Sequence, residues 1–168
     1  MIGQDAIVKT LSNAIKNDQI PQALLFCGPR GVGKTSCARI LAKQINDLEE
    51  NFEYNIFELD AASNNSVEDI RNITDQIRIP PQIGKYKVYI IDEVHMLSNA
   101  AFNAFLKSLE EPPKHVVFIL ATTEKNKIIP TILSRCQIYD FKKVDSSSIT
   151  KLLTSICKDK KIKFDENS

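Results

Sequence analysis

The sequence predicts an α/β domain built on a mostly parallel sheet, and three observations predict it. Short apolar runs alternate with longer stretches of helical period along most of the 168 residues. The first strong run, Ala23–Cys27 (ALLFC), leads straight into a glycine-rich turn and then a helical pattern. A later run, Val88 to Ile91 (VYII), ends on two acids, Asp92 and Glu93. Those acids fall at the strand end where ligands settle in open α/β sheets.

Taken in order, the chain opens on residues 4–17, with helical spacing at Ile7, Leu11, Ala14 and Ile15. Ala23–Cys27 is the first strand, and a helix is expected from about 34 to 45. Residues 56–59 make a second, shorter strand. Residues 66–77 read as a helix, because Ser66 followed three places later by Asp69 is a capping-box signal. The VYII strand follows, then a helix over 99–109 that Pro112-Pro113 stops. Val116 to Ala121 (VVFILA) is a fourth strand, and residues 136–141 are a candidate fifth.

From Lys142 the character shifts. Ser146-Ser147-Ser148 reads as a helix start, with Ile149, Leu152, Leu153 and Ile156 on one apolar face. One helix cannot bury such a face alone, so a further packing partner is expected. Phe164-Asp165-Glu166-Asn167 resembles the opening turn of another helix. The expected division is therefore a main domain over 1–142 and the beginning of a helical domain, cut short, over 143–168. No internal repeat stands out.

Composition narrows the function classes. Hydrophobic residues make up 43% and charged residues 26%, a globular balance. No apolar run approaches the roughly 20 residues that cross a bilayer, and no signal segment is recognisable, so a cytoplasmic protein without membrane contact is expected. The four cysteines (Cys27, Cys37, Cys136, Cys157) show no Cys-x-x-Cys pairing, which argues against a disulfide framework or a zinc site. With a net charge of +1, any nucleic acid must be met by placed groups, because bulk attraction is missing.

Gly28-Pro29-Arg30-Gly31-Val32-Gly33-Lys34-Thr35 matches G-x-x-x-x-G-K-[ST], the phosphate loop. Glycines let the backbone curl around phosphate oxygens, and the helix that follows presents its positive end to the same anion. The expected contacts to ATP come from Gly28, Gly31, Val32, Gly33, Lys34, Thr35 and Ser36, with Lys34 on the β- and γ-phosphates. Thr35 and Asp92 are the candidate magnesium ligands. Glu93 is placed to orient and deprotonate an attacking water, which separates a hydrolase from a nucleotide holder. His95 is either a second polarising group or a surface histidine before the next helix.

These residues, together with Asp60-Ala61-Ala62-Ser63, Asp92-Glu93-Val94-His95, Ser108-Leu109-Glu110-Glu111-Pro112-Pro113, Ala121-Thr122-Thr123 and Ser134-Arg135-Cys136, give a specific likeness over nearly the whole chain. The sequence resembles the gamma/tau subunits of bacterial DNA polymerase III, the ATPases of the clamp loader. The resemblance implies an AAA+ P-loop fold: a five-stranded parallel sheet in the order 5-1-4-3-2, flanked by helices, followed by a small helical lid. It implies a motor that uses ATP and magnesium to load the sliding clamp onto primed DNA. Partners would be delta, delta-prime, further gamma/tau copies and the polymerase core. Thr123 matches the sensor position for the γ-phosphate, although a hydroxyl there also serves simply to cap a strand. Arg135 matches an arginine finger that acts in trans on the neighbouring subunit's ATP; a plain surface arginine is the alternative.

Four departures stand beside the likeness. The four-cysteine zinc module usual in this family has no counterpart in residues 46–54 (NDLEENFEY), so no zinc is expected. The family carries residues before Ile2-Gly3-Gln4 that help enclose adenine, a complete lid with a second sensor arginine, and a collar domain for assembly. Their absence implies that the chain alone is mostly monomeric, binds nucleotide weakly and turns it over poorly. Phe102, Phe105 and Leu106 are candidates either for clamp contact or for the core, and Asn64 and Asn65 for contacts to DNA phosphate. Other readings are a further AAA+ DNA machine, such as a branch-migration helicase, or a silent scaffold like delta-prime. The intact Lys34, Thr35, Asp92 and Glu93 speak against the scaffold. A kinase fits poorly, because no acceptor-binding element is recognisable.

Overall fold

The computed structural model describes residues 3–47 and 52–159. Its elements are α1 (Asp5–Lys16), β1 (Ala23–Cys27), α2 (Lys34–Asn46), β2 (Ile56–Asp60), α3 (Val67–Gln76), β3 (Lys87–Asp92), α4 (Asn99–Glu110), β4 (Val116–Thr122), α5 (Pro130–Leu133), β5 (Gln137–Asp140) and α6 (Ser146–Asp159). The five strands form one sheet in the order β2-β3-β4-β1-β5, parallel throughout. This is the order that the resemblance implies, read from the opposite edge.

Alternation along the central strands explains their near-continuous apolar runs, because both faces of the sheet are covered. Every residue of β1 and of β4 is buried. On one face Leu25, Tyr89, Ile91, Phe118 and Leu120 pack with Ile70 of α3 and with Ala101, Phe102, Phe105 and Leu109 of α4. On the other face Leu24, Phe26, Ile90 and Ile119 meet Ile7 and Leu11 of α1 and Cys37, Ala38, Leu41 and Ile45 of α2. Phe102 and Phe105 are 4% and 0% exposed and belong to the core, while Leu106 is half-buried and packs against the same cluster.

Local chemistry sets the ends of the elements. The capping box at α3 is complete: the Ser66 hydroxyl accepts from the Asp69 N–H, and the Asp69 carboxylate accepts from the Ser66 N–H. Strand β5 starts one residue later than its apolar pattern suggests, because the Cys136 N–H is already donated to Ile132 O. The single-turn helix α5, with Pro130 at its start, is too short to show a period and has no counterpart among the elements expected from the sequence. On α6, Ile149, Leu152, Leu153 and Ile156 are 41–56% exposed. Phe164-Asp165-Glu166-Asn167 and much of the acidic 46–54 stretch lie outside the described residues.

Two closures place the loops over the ends of the strands. The Gln4 side chain, 4% exposed, donates to Lys142 O and accepts from Lys142 N–H, so α1 is fastened to the chain leaving β5. Gly28 N–H donates to Thr122 O, which draws the start of the phosphate loop against the end of β4.

Candidate functional site

The site lies at the C-terminal ends of β1, β3 and β4. Gly28, Gly31 and Gly33 carry φ of +150°, +77° and +94°, values that let the loop turn back on itself. A methyl group on Gly28 would lie 2.5 Å from Phe141 O, so only glycine fits there. Val32 is 7% exposed and sits in the apolar cluster beneath α2, which anchors the loop from below. Gly33 precedes the first turn of α2, whose Lys34, Thr35 and Ser36 N–H groups have no intrahelical acceptor to occupy them.

Lys34 is 6% exposed, and its Nζ donates to Gly28 O and Pro29 O at 2.8 Å each. Burial holds its pKa below the ordinary lysine value, while the nearby Glu93 and Asp92 carboxylates pull the other way. The Thr35 hydroxyl donates to Asp92 Oδ2 at 2.6 Å, and Asp92 Oδ1 accepts the Glu93 N–H. A hydroxyl and a carboxylate so joined suit a hard cation such as magnesium, which binds through one or two protein oxygens and keeps its other ligands as water or phosphate. Among the described residues no group of three or more His, Cys, Asp or Glu is placed to hold a metal. A divalent cation here would therefore depend on phosphate oxygens and water for most of its shell.

Around these atoms lies an open cleft of about 390 Å³, lined by Arg30, Gly31, Gly33, Lys34, Thr35, Ser36, Asp60, Asp92 and Glu93. Asp60 is a member that sequence reasoning did not assign. Its signal is register, since Asp60 at the end of β2 pairs with Asp92 at the end of β3. Its own carboxylate accepts from Ala62 N–H and from the Ser63 hydroxyl, which shapes the turn beside the cleft.

Glu93 follows β3 with φ of +46°, a left-handed conformation uncommon for a non-glycine residue. Its Oε2 accepts from both the N–H and the hydroxyl of Thr123, at 3.1 and 2.9 Å. Thr123 is thus the residue just past β4, and its hydroxyl is spent on the candidate base rather than on capping a strand. His95 is not a surface residue: its side chain is 5% exposed, with Nδ1 2.9 Å from Thr122 Oγ1 and 3.3 Å from Glu93 Oε2.

Arg135 does not line the cleft. It sits at the far side of α5, where Nη2 donates to Glu110 Oε1 and Nη1 to Thr131 O, both at 2.8 Å. At the start of α3, Asn64 is turned inward, donating to Asp60 O, and Glu68 and Asp69 put two acids on the first turn. A phosphate approaching that helix end meets negative charge, so Asn64 and Asn65 gain no support as DNA contacts.

A family model described as "DNA polymerase III, delta subunit" matches residues 3–145. The tau subunit of DNA polymerase III from Bacillus subtilis is 46% identical over 185 positions, covering 100% of this chain and 33% of that protein. The tau subunit from Escherichia coli is 42% identical, covering 96% and 28%, and the gamma subunit from Buchnera aphidicola subsp. Baizongia pistaciae is 41% identical, covering 98% and 49%. The chain belongs to the gamma/tau family of DNA polymerase III. It spans less than half the length of these three relatives. The Bacillus match runs over 185 positions against the 168 residues here, so that relative carries residues with no counterpart in this chain.

Solved structures support the fold. A DNA polymerase III gamma subunit-related protein from Thermotoga maritima superposes with a TM-score of 0.71 at 21% identity, covering 90% of this chain and 53% of that one. The RuvB Holliday junction branch migration motor from the same organism gives 0.72 at 22%, covering 95% and 52%. At such identities the likeness speaks to architecture alone, and the architecture is that of an AAA+ P-loop domain. No helix among the described residues is long and apolar enough to cross a membrane.

Proposed function

We propose that this gamma/tau chain is an ATPase motor of the clamp loader, in which ATP binding and hydrolysis drive loading of the sliding clamp onto primed DNA. The observation that carries the reading is the contact between Thr35 and Asp92, which joins the phosphate loop to the acid pair at one cleft. Its setting would be the cytoplasm, in a complex with delta, delta-prime, further gamma/tau copies and the polymerase core. The lid expected to begin beyond residue 142 would close over the nucleotide.

In this reading Lys34 releases the Gly28 and Pro29 carbonyls and takes up β- and γ-phosphate oxygens instead. The glycine loop and the first N–H groups of α2 hold the phosphates. Thr35 and Asp92 would hold magnesium, which when bound would supply positive charge to offset that of the phosphates. Glu93, steadied through Oε2 by Thr123, leaves Oε1 to receive the proton of the attacking water. Arg135 completes the site of the adjacent subunit, where it meets charge developing on the transferred phosphoryl group. The same reading assigns no zinc to the chain.

The test separates binding from turnover. Arg135→Ala should leave ATP affinity of the isolated chain unchanged and lower hydrolysis by the assembled complex roughly 10³-fold. A large loss of binding by the isolated chain would sink the in-trans role, and undiminished hydrolysis by the complex would sink it equally.

A further inference from the structure

We propose that His95 is a positioning residue for hydrolysis: its ring fastens the turn that carries Glu93 to the Thr122–Glu124 segment after β4, and so sets the direction in which the Glu93 carboxylate faces the nucleotide. The inference rests on Glu93 acting as the proton acceptor.

Three features support it. The ring is nearly enclosed, with its side chain 5% exposed, although it belongs to a short 3-10 turn (Val94–Met96) at the mouth of a polar cleft. A buried imidazole needs polar neighbours for both nitrogens, and both have them. Nε2 lies 3.3 Å from Glu124 Oε1 and Nδ1 lies 3.3 Å from Glu93 Oε2, so each ring nitrogen faces a carboxylate. Nδ1 also shares a hydrogen bond with the Thr122 hydroxyl, 2.9 Å away. Thr122 Oγ1 in turn accepts the Glu124 N–H at 3.0 Å. Backbone, hydroxyl and ring thus form one continuous chain of hydrogen bonds, each member oriented by the next.

The second feature is what this chain of bonds holds in place. The segment it fixes also supplies the two donors, Thr123 N–H and Oγ1, that occupy Glu93 Oε2. With Oε2 committed, Oε1 accepts no hydrogen bond among the described residues and is the oxygen left for a proton. The third feature is the backbone of Glu93, at φ of +46°. Such a conformation persists only where the surroundings hold it. His95, two residues on, is one of the groups that do so, and it ties β3 to a strand end 27 residues away.

Substitutions keep the parts of the ring separable. In His95→Asn the side-chain amide falls near the place of Nδ1 and, able to donate or accept, still bonds Thr122. In His95→Gln the longer amide reaches towards Glu124 and leaves Thr122 without its partner. His95→Ala removes both. The measurements are single-turnover ATP hydrolysis and ATP affinity, made on the full-length protein in its assembled complex, with thermal unfolding of each variant alongside.

His95→Ala should lower the hydrolysis rate about 10- to 100-fold, the range found when supporting groups behind a reacting residue are removed, with ATP affinity changed by less than about twofold. His95→Asn should recover most of the rate and His95→Gln should not. Hydrolysis at the wild-type rate in His95→Ala, or equal loss in Asn and Gln, overturns the proposal. Should His95→Ala fail to fold, the comparison of Asn with Gln decides alone. Glu93→Gln serves as the parallel control. If it hydrolyses ATP normally, the reading of the site is wrong. If it abolishes hydrolysis while His95→Ala hydrolyses at the wild-type rate, only the role of His95 falls.

Discussion

Replacing Gly28 by alanine should damage this protein more than the same change at Gly31, and the structure says by how much. Gly28 is the first residue past β1, with φ of +150°, and a Cβ there meets Phe141 O at 2.5 Å and Phe141 Cβ at 2.9 Å. The neighbour cannot step aside cheaply. Phe141 N–H donates to Cys27 O at 2.7 Å, the residue is 3% exposed, and its ring packs 5.1 Å from that of Phe26. An unfavourable φ costs about 1–3 kcal/mol, and forcing an extra methyl into a packed site costs about 1–3 kcal/mol more. Around Gly31, at φ of +77°, a Cβ would meet no atom within 4 Å, so only the conformational cost, about 1–2 kcal/mol, applies. Urea denaturation of the two variants measures the difference, with the slope expected to stay unchanged. Gly28→Ala should lose about 2–6 kcal/mol and exceed Gly31→Ala by at least about 1 kcal/mol. A Gly28 variant within about 0.5 kcal/mol of wild type, or a more damaged Gly31 variant, refutes the reasoning.

Two more outcomes follow from the site and the core. Thr35→Ala removes the hydroxyl that shares the cation site with Asp92, so ATP affinity should fall roughly tenfold in magnesium and much less in EDTA; an equal loss in both conditions would show that Thr35 acts without the metal. Burial pushes the thiols of Cys27 and Cys37 up to about 11 and that of Cys136 to about 12, from an ordinary 9.0. The folded state therefore binds these protons more tightly than the unfolded one. The stability this brings is complete below about pH 9 and is lost as the pH climbs towards 11–12. The urea midpoint should fall through that window, and a flat or rising midpoint would contradict the burial of these thiols.

Much of this was legible in the residues, and the parts that were not have physical causes. Runs such as ALLFC and VVFILA are apolar throughout because both sheet faces are covered, and that made β1 and β4 readable. The order of the strands was not readable from any run; it came with the resemblance, since pairing between β1, β4 and β5 is set by tertiary contacts. The phosphate loop and the acid pair could be located from spacing, but their junction at Thr35 and Asp92 spans 57 residues and is visible only in three dimensions. The role of His95 is hidden from the sequence for the same reason, because its burial depends on Thr122 and Glu124. Phe102 and Phe105 could have been placed in the core from their spacing with Ala101 and Leu109 along α4, the stripe that meets the sheet. Asp60 entered only as part of the likeness and without a role at the site, because one acid ending a short strand carries no signal until its register beside Asp92 is known.

The most direct measurement is calorimetric titration of ATP with magnesium into the wild-type chain and into Lys34→Ala. Lys34 is the ammonium nearest the place of the phosphates, already enclosed by the loop and beside both acids. Saturable binding by the wild type, reduced about 100-fold or more in Lys34→Ala, is the predicted result. The same affinity in both proteins, or no binding in either, would contradict the assignment of this cleft to ATP.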